Sequence, residues 1–541
     1  MKTKRRSVLK AILAGVLLIA AGIRGRLAAA DRRGVFHHGI ASGDPTDRSV
    51  ILWTRVTVES EQSVNLRWRV SRNREMTRIV ARGRTRTDAS RDYTVKVDAR
   101  GLAAGRNYYY QFSFDGRHSP VGRTRTLPSG DPDSVRLAVV SCSNHPAGYF
   151  NVYRDIAGRS DLDAVIHLGD YIYEYGVNGY GSEQADALGR IPEPATELLT
   201  LADYRTRHAQ YKSDLDSQAM LASMPLIAVW DDHEIANDAW RGGARGHGEN
   251  EGEWAGRRDA AIQAYFEWMP IRGKQNGEKT RIYREFRFGR LASLIMLDTR
   301  LYGRDRQPDA DPDVTEESVT AAMEDPERRM LGDRQERWLR RRLKRSSSTT
   351  WQMIGQQVLV ARLISPDFEP LVDTDKPSTI PMDMLQGIIE RSKQNPPAVL
   401  DAWNGYPSAQ HDFIADLAEY ASNPVILSGD FHTHLAGEVI PDDADQPVAV
   451  EFLTGAVSSP VLSDALPDKE PNSVRDGVLR QNPWLKYLDL QHRGWLRLTM
   501  TEERCTAEWH LIDTVTSHDY RSWLGKTLWV RAGEIGRGLQ G

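Results

Sequence analysis

The chain has 541 residues and a formal net charge of −3, with acidic and basic side chains interspersed. Its length exceeds that of a single typical domain. Apolar residues make up 40% of the sequence, which is enough for a large buried core. No block of like charge stands out beyond the N-terminus, so the sequence gives no footprint of nucleic-acid or membrane-surface binding. The two cysteines, Cys142 and Cys505, exclude a disulfide-rich scaffold and leave at most one bridge.

Residues 1–30 have the pattern of a cleaved export signal. Five basic residues precede the apolar run 11–23, which is too short for a comfortable membrane span, and three alanines at 28–30 provide a cleavage site. The stretch 5–10, Arg-Arg-Ser-Val-Leu-Lys, resembles a twin-arginine signal with Val8 where Phe is usual. An ordinary secretory signal is the alternative. Both predict a periplasmic or secreted protein without a transmembrane anchor, and the first adds the twin-arginine export machinery as a partner.

The next segment, residues 31–127, is typical of β-structure. Val64, Leu66, Trp68 and Val70 alternate with polar residues, the period-two pattern of a half-buried strand. Tyrosine and phenylalanine alternate in the same way over 108–114. Turn residues separate these runs at hairpin-like intervals, which predicts an N-terminal β-sandwich domain followed by a linker over 127–132.

The catalytic domain is predicted over residues 135–520, where short apolar runs alternate with helical stretches in an α/β pattern. Helices are predicted through Arg334–Arg342 and Ser408–Ala421. The acidic stretch 309–325 is predicted to be a surface loop, and the stretch 366–397, rich in proline and aspartate, an irregular insertion. Residues 521–541 are predicted to be a C-terminal tail.

Four apolar runs in this domain end in side chains that can bind metal ions. The runs are 137–140, 164–168, 226–230 and 425–427, and the side chains after them include Cys142, Asp170, Tyr173, Asp232, His233, Asp430, His432 and His434. Ligand sites in open α/β sheets form beyond the carboxyl ends of strands. We therefore expect these four loops to meet in one crevice.

The residue types indicate hydrolysis of phosphate esters. Two neighbouring cations require a ligand that bridges them, and the two oxygens of a carboxylate can do so. Such a pair activates water as a metal-bound hydroxide and stabilises charge on the phosphoryl oxygens. The sequence has no G-x-S-x-G elbow and no P-loop, so neither a serine hydrolase nor a P-loop enzyme is indicated.

The motifs resemble the calcineurin-like metallophosphoesterase superfamily, and within it the alkaline phosphatase D (PhoD) family. Gly169-Asp170-x-x-Tyr173, Asp232-His233-Glu234 and His432-x-His434 carry the superfamily resemblance. The ordered set that carries the family resemblance includes the stretches 36–45, 51–55, 141–143, 167–174, 230–234, 297–300, 331–339 and 427–432. This resemblance implies an α/β fold in which a calcineurin-like domain of two packed mixed β-sheets, flanked by helices, follows the β-sandwich.

The resemblance also implies a set of metal ligands. It places Cys142, Asp170 and Tyr173 on a ferric ion, and it makes Asp170 the bridge to a second site. That second site holds calcium in the resemblance, with Asp232 and Asp430 as oxygen ligands, although other divalent metals stay open. His432 or His434 is expected to complete one of the two sites.

Three further residues are candidates for catalysis. His233 is expected to contact phosphate or protonate the leaving group, and Asn237 to contact a metal or one of its ligands. Arg300 is expected to hold a phosphate oxygen through its planar fork, with a structural ion pair to Asp298 or another acid as the alternative. Asn404 departs from the family pattern, in which aspartate is usual, and this weakens any substrate-selecting role for its loop.

We therefore predict an exported, metal-dependent phosphoesterase that hydrolyses phosphate mono- or diesters. A phosphodiesterase or phospholipase D acting on lipid or polymer head groups is the alternative, because both activities use the same metal core. A non-catalytic, calcium-stabilised binding protein on the same scaffold is a third class.

Overall fold

A computed structural model describes residues 35–59, 62–273, 280–309, 315–371, 382–465 and 471–541. The predicted export signal, residues 1–30, lies outside these ranges. In the first 127 residues, strands β1 to β8 are Ile40–Gly43, Ser49–Arg55, Val64–Ser71, Ile79–Thr87, Thr94–Arg100, Asn107–Phe114, Arg117–His118 and Gly122–Arg125.

The remainder of the chain adds the strands and helices of the α/β portion. Strands β9 to β23 are Val135–Val140, Ala164–His167, Leu226–Ala228, Ala239–Trp240, Gly243–Ala244, Arg284–Phe288, Ala292–Met296, Trp351–Gly355, Pro424–Ser428, His434–Val439, Ala449–Leu453, Leu485–Asp489, Arg493–Met500, Arg504–Ile512 and Ser522–Arg531. Helices α1 to α11 are Asn151–Ala157, Ala185–Leu188, Leu201–Ser213, Leu215–Ser223, Trp254–Trp268, Glu316–Glu324, Asp333–Ser346, Met382–Ser392, Pro407–Tyr420, Leu462–Ala465 and Pro471–Gln481.

Two large mixed sheets form the centre of the molecule. The first has nine strands in the order β23-β22-β21-β9-β10-β11-β1-β2-β5, and the second has seven in the order β14-β15-β16-β17-β19-β18-β20. Strands β9, β10 and β11 are mutually parallel in the first sheet, and β15, β16, β17 and β19 are parallel in the second. Parallel strands bury both faces, which explains why their sequences read as nearly continuous apolar runs.

The side chains of the second sheet show how the layers pack. Leu294, Met353 and Val425 belong to one apolar core, which they share with β9 and β10 of the first sheet. Their neighbours Ile295 and Ile354 point to the opposite face and pack in a second core with side chains of α7 and α9. Helices α1, α3, α4 and α5 contribute buried side chains to the first core. The two packed mixed sheets flanked by helices confirm the predicted fold class.

The N-terminal β-region packs as two layers, one of which is part of the large sheet. Strands β3, β4, β6, β7 and β8 form a separate five-stranded sheet. Its Leu66 and Tyr110 share a core with Val50 and Leu52 of β2. Strand β1 pairs in parallel with β11, so β1, β2 and β5 continue the nine-stranded sheet. The N-terminal segment therefore covers an edge that β11 would otherwise expose.

Three segments are more regular than their sequences indicated. The segment predicted as a tail contains β23, the outermost strand of the nine-stranded sheet, in which Leu528 and Val530 are buried at the alternation of a half-buried strand. The stretches 309–325 and 366–397 contain α6 and α8. Helix α6 has no fully buried side chain, and its short stripe of Val319, Ala322 and Met323 is only partly buried. The side chain of Thr315 accepts a hydrogen bond at its start. The two helices predicted from periodicity are confirmed as parts of α7 and α9.

No helix among the described residues combines the length and the apolar character needed to cross a membrane.

A buried ion pair fastens the N-terminal segment to the α/β portion. Asp44, directly after β1, accepts hydrogen bonds from Nε of Arg284 at 3.0 Å and from Nη2 at 2.7 Å. The side chains of Arg284 and Asp44 are 7% and 0% exposed. Removing one partner of such a pair leaves an unpaired buried charge, which is costly.

We predict that Arg284→Met lowers the free energy of unfolding by about 3 to 5 kcal/mol, because Asp44 loses its buried partner. Urea denaturation followed by circular dichroism measures the change. The matched control is Arg290→Met, because the Arg290 and Asp131 side chains are 73% and 47% exposed and their pair is expected to contribute at most about 1 kcal/mol. Equal losses in the two variants would contradict the anchoring role of Arg284.

Candidate metal centre

The four predicted ligand-bearing loops come from both large sheets and converge at one place. Strands β9, β10 and β11 of the first sheet are followed by Cys142, Asp170 and Asp232, whereas β17 of the second sheet is followed by Asp430 and His432. An isolated bridge between Ser141 and Ala456 ties the two sheets together beside these loops. The convergence arises because the sheets lie face to face with these strand ends at a common edge.

The backbone at this edge has unusual conformations. Cys142, Asp170, Asp430 and His432 have φ values of 61°, 56°, 64° and 51°, in the left-handed region that residues with a Cβ disfavour. Conformations of this kind cost about 1 to 3 kcal/mol each and persist where the surroundings enforce them, commonly at functional sites. The strain therefore coincides with four of the predicted ligands.

One group of side chains combines sulfur, nitrogen and oxygen donors. Potential ligand atoms of Cys142, Asp170 and His432 lie within 4.8 Å of one another. The hydroxyl of Tyr173 donates to Oδ2 of Asp170 at 2.9 Å and lies 3.0 Å from Nε2 of His432. Ser459 donates to the same hydroxyl oxygen at 2.8 Å. A thiol, a phenol, an imidazole and a carboxylate are a donor set that suits a transition metal.

A second group consists of carboxylates and shares Asp170 with the first. Potential ligand oxygens of Asp170, Asp231, Asp232 and Asp430 lie within 4.8 Å of one another. Three of these buried oxygens, Oδ1 of Asp170, Oδ2 of Asp231 and Oδ1 of Asp232, have no hydrogen-bond partner in the described part of the chain. Buried oxygens are normally paired, and a hard cation prefers oxygen ligands. The group therefore fits a cation bound beside the first.

The raised pKa values of acidic groups in the centre also indicate a site for cations. Burial, with the charges of Asp232 and Asp231 acting in the same direction, raises the pKa of Asp170 well above its usual value. Burial and the charge of Asp170 likewise raise the pKa of the Cys142 thiol. Both groups must lose a proton to act as ligands, and a nearby cation favours that loss. The residues thus fit metal ions in charge as well as in donor type.

His233 is held firmly beside the second group. Its Nδ1 lies 2.7 Å from Oε2 of Glu174, and its ring stacks on Tyr173 with 4.2 Å between the ring centroids. A potential ligand nitrogen of His233 lies within 4.8 Å of carboxylate oxygens of Asp170 and Asp232. Burial opposes the imidazolium form, but the charges of Glu174, Asp232 and Asp170 raise the pKa of His233 well above its usual value. The arrangement can present a proton to a group bound at the centre.

Arg300 lies among acids, as in the alternative that the sequence left open. Its guanidinium is buried, pairs with Asp231 and Asp401, and donates through Nη2 to Oδ1 of Asp430 at 2.9 Å. Asp298 instead accepts a hydrogen bond from the backbone N–H of Arg300 at 2.9 Å. These carboxylates hold the Arg300 guanidinium at the carboxylate group, and its contact with a substrate phosphate stays a prediction.

Two predicted residues, Asn237 and His434, are not among the potential metal ligands described above. The backbone N–H of Asn237 donates to Oε1 of Glu174 at 2.7 Å, so Asn237 lies beside the support of His233. His434, the first residue of β18, is buried elsewhere: its Nδ1 accepts from the N–H of Gly455 at 2.9 Å. None of the three groups of potential ligands found among the described residues includes His434. Of the two histidines that the sequence left open, the structure brings His432 to the centre.

The sequence interpretation omitted three acids that take part in the centre. Asp231 directly precedes Asp232, Glu174 ends the stretch 167–174, and Glu234 ends the stretch 230–234. Asp231 belongs to the carboxylate group, and Glu174 holds His233. A second acid next to a predicted ligand was the available signal for Asp231. The groups that Glu174 and Glu234 bind depend on how the loops fold, which the sequence alone does not show.

Known proteins share this architecture over nearly the whole chain. The model of the PhoD-like phosphatase family matches residues 137–509, and the model of the PhoD-like phosphatase N-terminal domain matches residues 22–128. Alkaline phosphatase D of Bacillus subtilis (strain 168) is 32% identical over 497 residues, which are 89% of this chain and 78% of that protein. A solved structure described as "Structure of PhoD" is 30% identical, covers 94% of this chain and 92% of its own, and has a TM-score of 0.80.

The fold and these relatives make the chain a phosphoesterase of the metal-dependent class. Within that class, the chain belongs to the PhoD-like phosphatase family, since the family model matches residues 137–509. The predicted recognition and the predicted enzyme class, a hydrolase of phosphoric ester bonds, are therefore confirmed.

Proposed function

We propose that this chain is an exported phosphoesterase whose centre holds a ferric ion and a calcium ion. The observation that carries this proposal is that Asp170 belongs to both groups of potential ligands. Cys142, Tyr173 and His432 would hold iron together with Asp170, because thiolate, phenolate and imidazole suit an oxidised transition metal. Asp232 and Asp430 would hold calcium, which prefers oxygen donors, and Asp231 lies in the same group.

The chain's own residues prepare the centre for phosphate ester hydrolysis. When bound, the two cations would supply Lewis acidity, which activates water and offsets charge on the phosphoryl group. Glu174 holds His233 at 2.7 Å with its ring fixed against Tyr173, so His233 can give a proton to the departing ester oxygen. Arg300 keeps the carboxylates in place through its buried ion pairs. Binding, orientation and proton delivery are thus assigned to separate side chains.

Asp170→Asn is predicted to lower turnover of nitrophenyl phosphate more than about 100-fold while the fold is retained, because a neutral amide bridges two cations poorly. Steady-state kinetics, elemental analysis and circular dichroism measure activity, metal content and fold. Asp442→Asn is the control, since the Asp442 side chain is 73% exposed and pairs with Arg362 at the surface. A fully active Asp170→Asn protein would remove the bridging assignment.

A specific feature favours phosphodiesters as a second candidate substrate class. A cavity of about 2090 Å³ opens beside His432 and Tyr180. Its walls include apolar side chains from several loops, such as Phe368, Phe431 and Leu462. A phosphate monoester of small size would leave most of this space empty, whereas a diester has a second substituent to place there.

We therefore expect kcat/KM for bis-nitrophenyl phosphate to equal or exceed kcat/KM for nitrophenyl phosphate. The reason is that the cavity can bury the second aryl group beside the centre. Steady-state kinetics on both esters with one enzyme preparation provide the comparison. Hydrolysis of the monoester alone would instead favour a monoesterase, and hydrolysis of neither would favour the non-catalytic binding protein.

Export by the twin-arginine route is the remaining part of the proposal. Its support is the sequence of residues 1–30, with Arg5 and Arg6 ahead of the apolar run. The double variant Arg5→Lys, Arg6→Lys is predicted to keep the precursor in the cytoplasm, because positive charge is preserved but the arginine pair is lost. Cell fractionation and immunoblotting measure the cleaved form, with Lys2→Arg as the control. Normal export of the double variant would indicate the general secretory route.

A further inference from the structure

Glu234 joins two of the loops that carry candidate ligands. Its side chain is buried, and Oε2 accepts hydrogen bonds from the backbone N–H of Asp170 at 3.0 Å and of Asp231 at 2.7 Å. Its Oε1 accepts from the N–H of Tyr171 at 2.7 Å. One carboxylate therefore binds three backbone donors, two in the loop after β10 and one in the loop after β11.

The two loops touch with almost no room between them. Gly169 has φ +119°, and a Cβ built on it would lie 2.4 Å from the Cβ of Asp231. Only glycine fits that contact. The next residue, Asp170, adopts a φ of 56° that its own side chain disfavours, and its N–H is one of the three bound by Glu234. The glycine sets how closely the loops approach, and the glutamate holds them there.

We propose that Glu234 is a positioning residue that sets the separation between the shared carboxylate Asp170 and the loop of Asp231 and Asp232. This inference rests on the proposed two-cation function. The second cation depends on that separation, because its candidate ligands lie on both loops. The first depends on it much less, because none of its candidate ligands lies on the loop of Asp231 and Asp232: Cys142 and His432 follow β9 and β17, and Asp170 and Tyr173 share the loop after β10. Weakening the three hydrogen bonds by which Glu234 joins the two loops should therefore weaken calcium binding selectively.

Glu234→Gln is the sharpest variant, because it keeps the shape of the side chain. The amide has one oxygen, so at least one of the three backbone N–H groups would face an NH2 group instead of an acceptor. Wild-type protein and variant are purified with iron and then titrated with calcium by isothermal calorimetry. We expect the calcium dissociation constant to rise by about 10- to 100-fold, with iron content and the visible absorption of the iron site unchanged.

Gly169→Ala tests the same contact between the two loops at a different residue. The added methyl group pushes the loops apart without altering Glu234, so it should weaken calcium binding in the same direction while iron stays bound. Glu234→Asp keeps two carboxylate oxygens on a shorter side chain and is expected to weaken calcium binding in the same direction, so the inference stays testable if the other two variants fold poorly.

Glu451→Gln is the matched control for burying a neutral amide in place of a carboxylate. Glu451 is buried and accepts hydrogen bonds from the backbone N–H of Val360 at 2.9 Å and of Ala361 at 2.6 Å. Val360 and Ala361 follow β16, and the hydroxyl of Ser428 at the end of β17 also donates to Glu451; none of these three residues belongs to a group of potential ligands. The variant is expected to lose stability while its affinity for calcium is retained.

The outcomes separate this inference from the proposed function. Unchanged calcium affinity in both Glu234→Gln and Gly169→Ala would overturn the positioning role. Equal loss of iron and calcium in these variants would also overturn it, because Glu234 would then support the fold in general. Wild-type protein that binds neither metal would refute the two-cation function itself.

Discussion

The main constraint on this structure is the repulsion among four carboxylates, three of them buried, at the ends of two sheets. Ligand oxygens of Asp170, Asp231, Asp232 and Asp430 lie within 4.8 Å of one another. Two like charges about 4 Å apart repel by about 4 kcal/mol at an effective dielectric constant of about 20, and burial adds the cost of desolvation. Arg300 supplies one buried positive charge among them. Further cations at this place would let all four carboxylates ionise together.

The fold keeps these groups together by making the loops short and tightly bonded. The carboxylates follow strands of two sheets that share one apolar core, so the strand ends cannot separate without opening that core. Left-handed backbone at Cys142, Asp170, Asp430 and His432 turns each chain sharply after its strand. Glu174 binds His233, and Glu234 binds the backbone of the loop after β10, so buried glutamates hold both the imidazole and the loop of Asp170 in place.

The sequence predicted the centre better than it predicted the sheets. Cys142, Asp170, Asp232 and His432 could be grouped because each follows an apolar strand in a motif with defined spacing. The β pattern of residues 31–127 gave the type of structure but not that β1, β2 and β5 join the large sheet, since a strand pattern does not specify which sheet it joins. The location of His434 could not be predicted from the sequence either. Two residues beyond His432, the chain has already entered β18, where the N–H of Gly455 donates to the His434 imidazole. The acid partners of Arg300 lie 69 to 130 residues away in sequence.

The same constraint relates metal binding to folding and to the proposed route of export. Strained backbone and crowded carboxylates both raise the free energy of the metal-free fold, and a ligand that binds only the folded state stabilises it. Cation binding is therefore expected to contribute directly to folding, as in other metal sites that assemble only in the folded chain. A twin-arginine signal directs proteins that have already folded. For this chain, folding before export would mean that the carboxylates receive their counter-charges inside the cell, so the proposed twin-arginine route and the charge-crowded centre would require the same order of events.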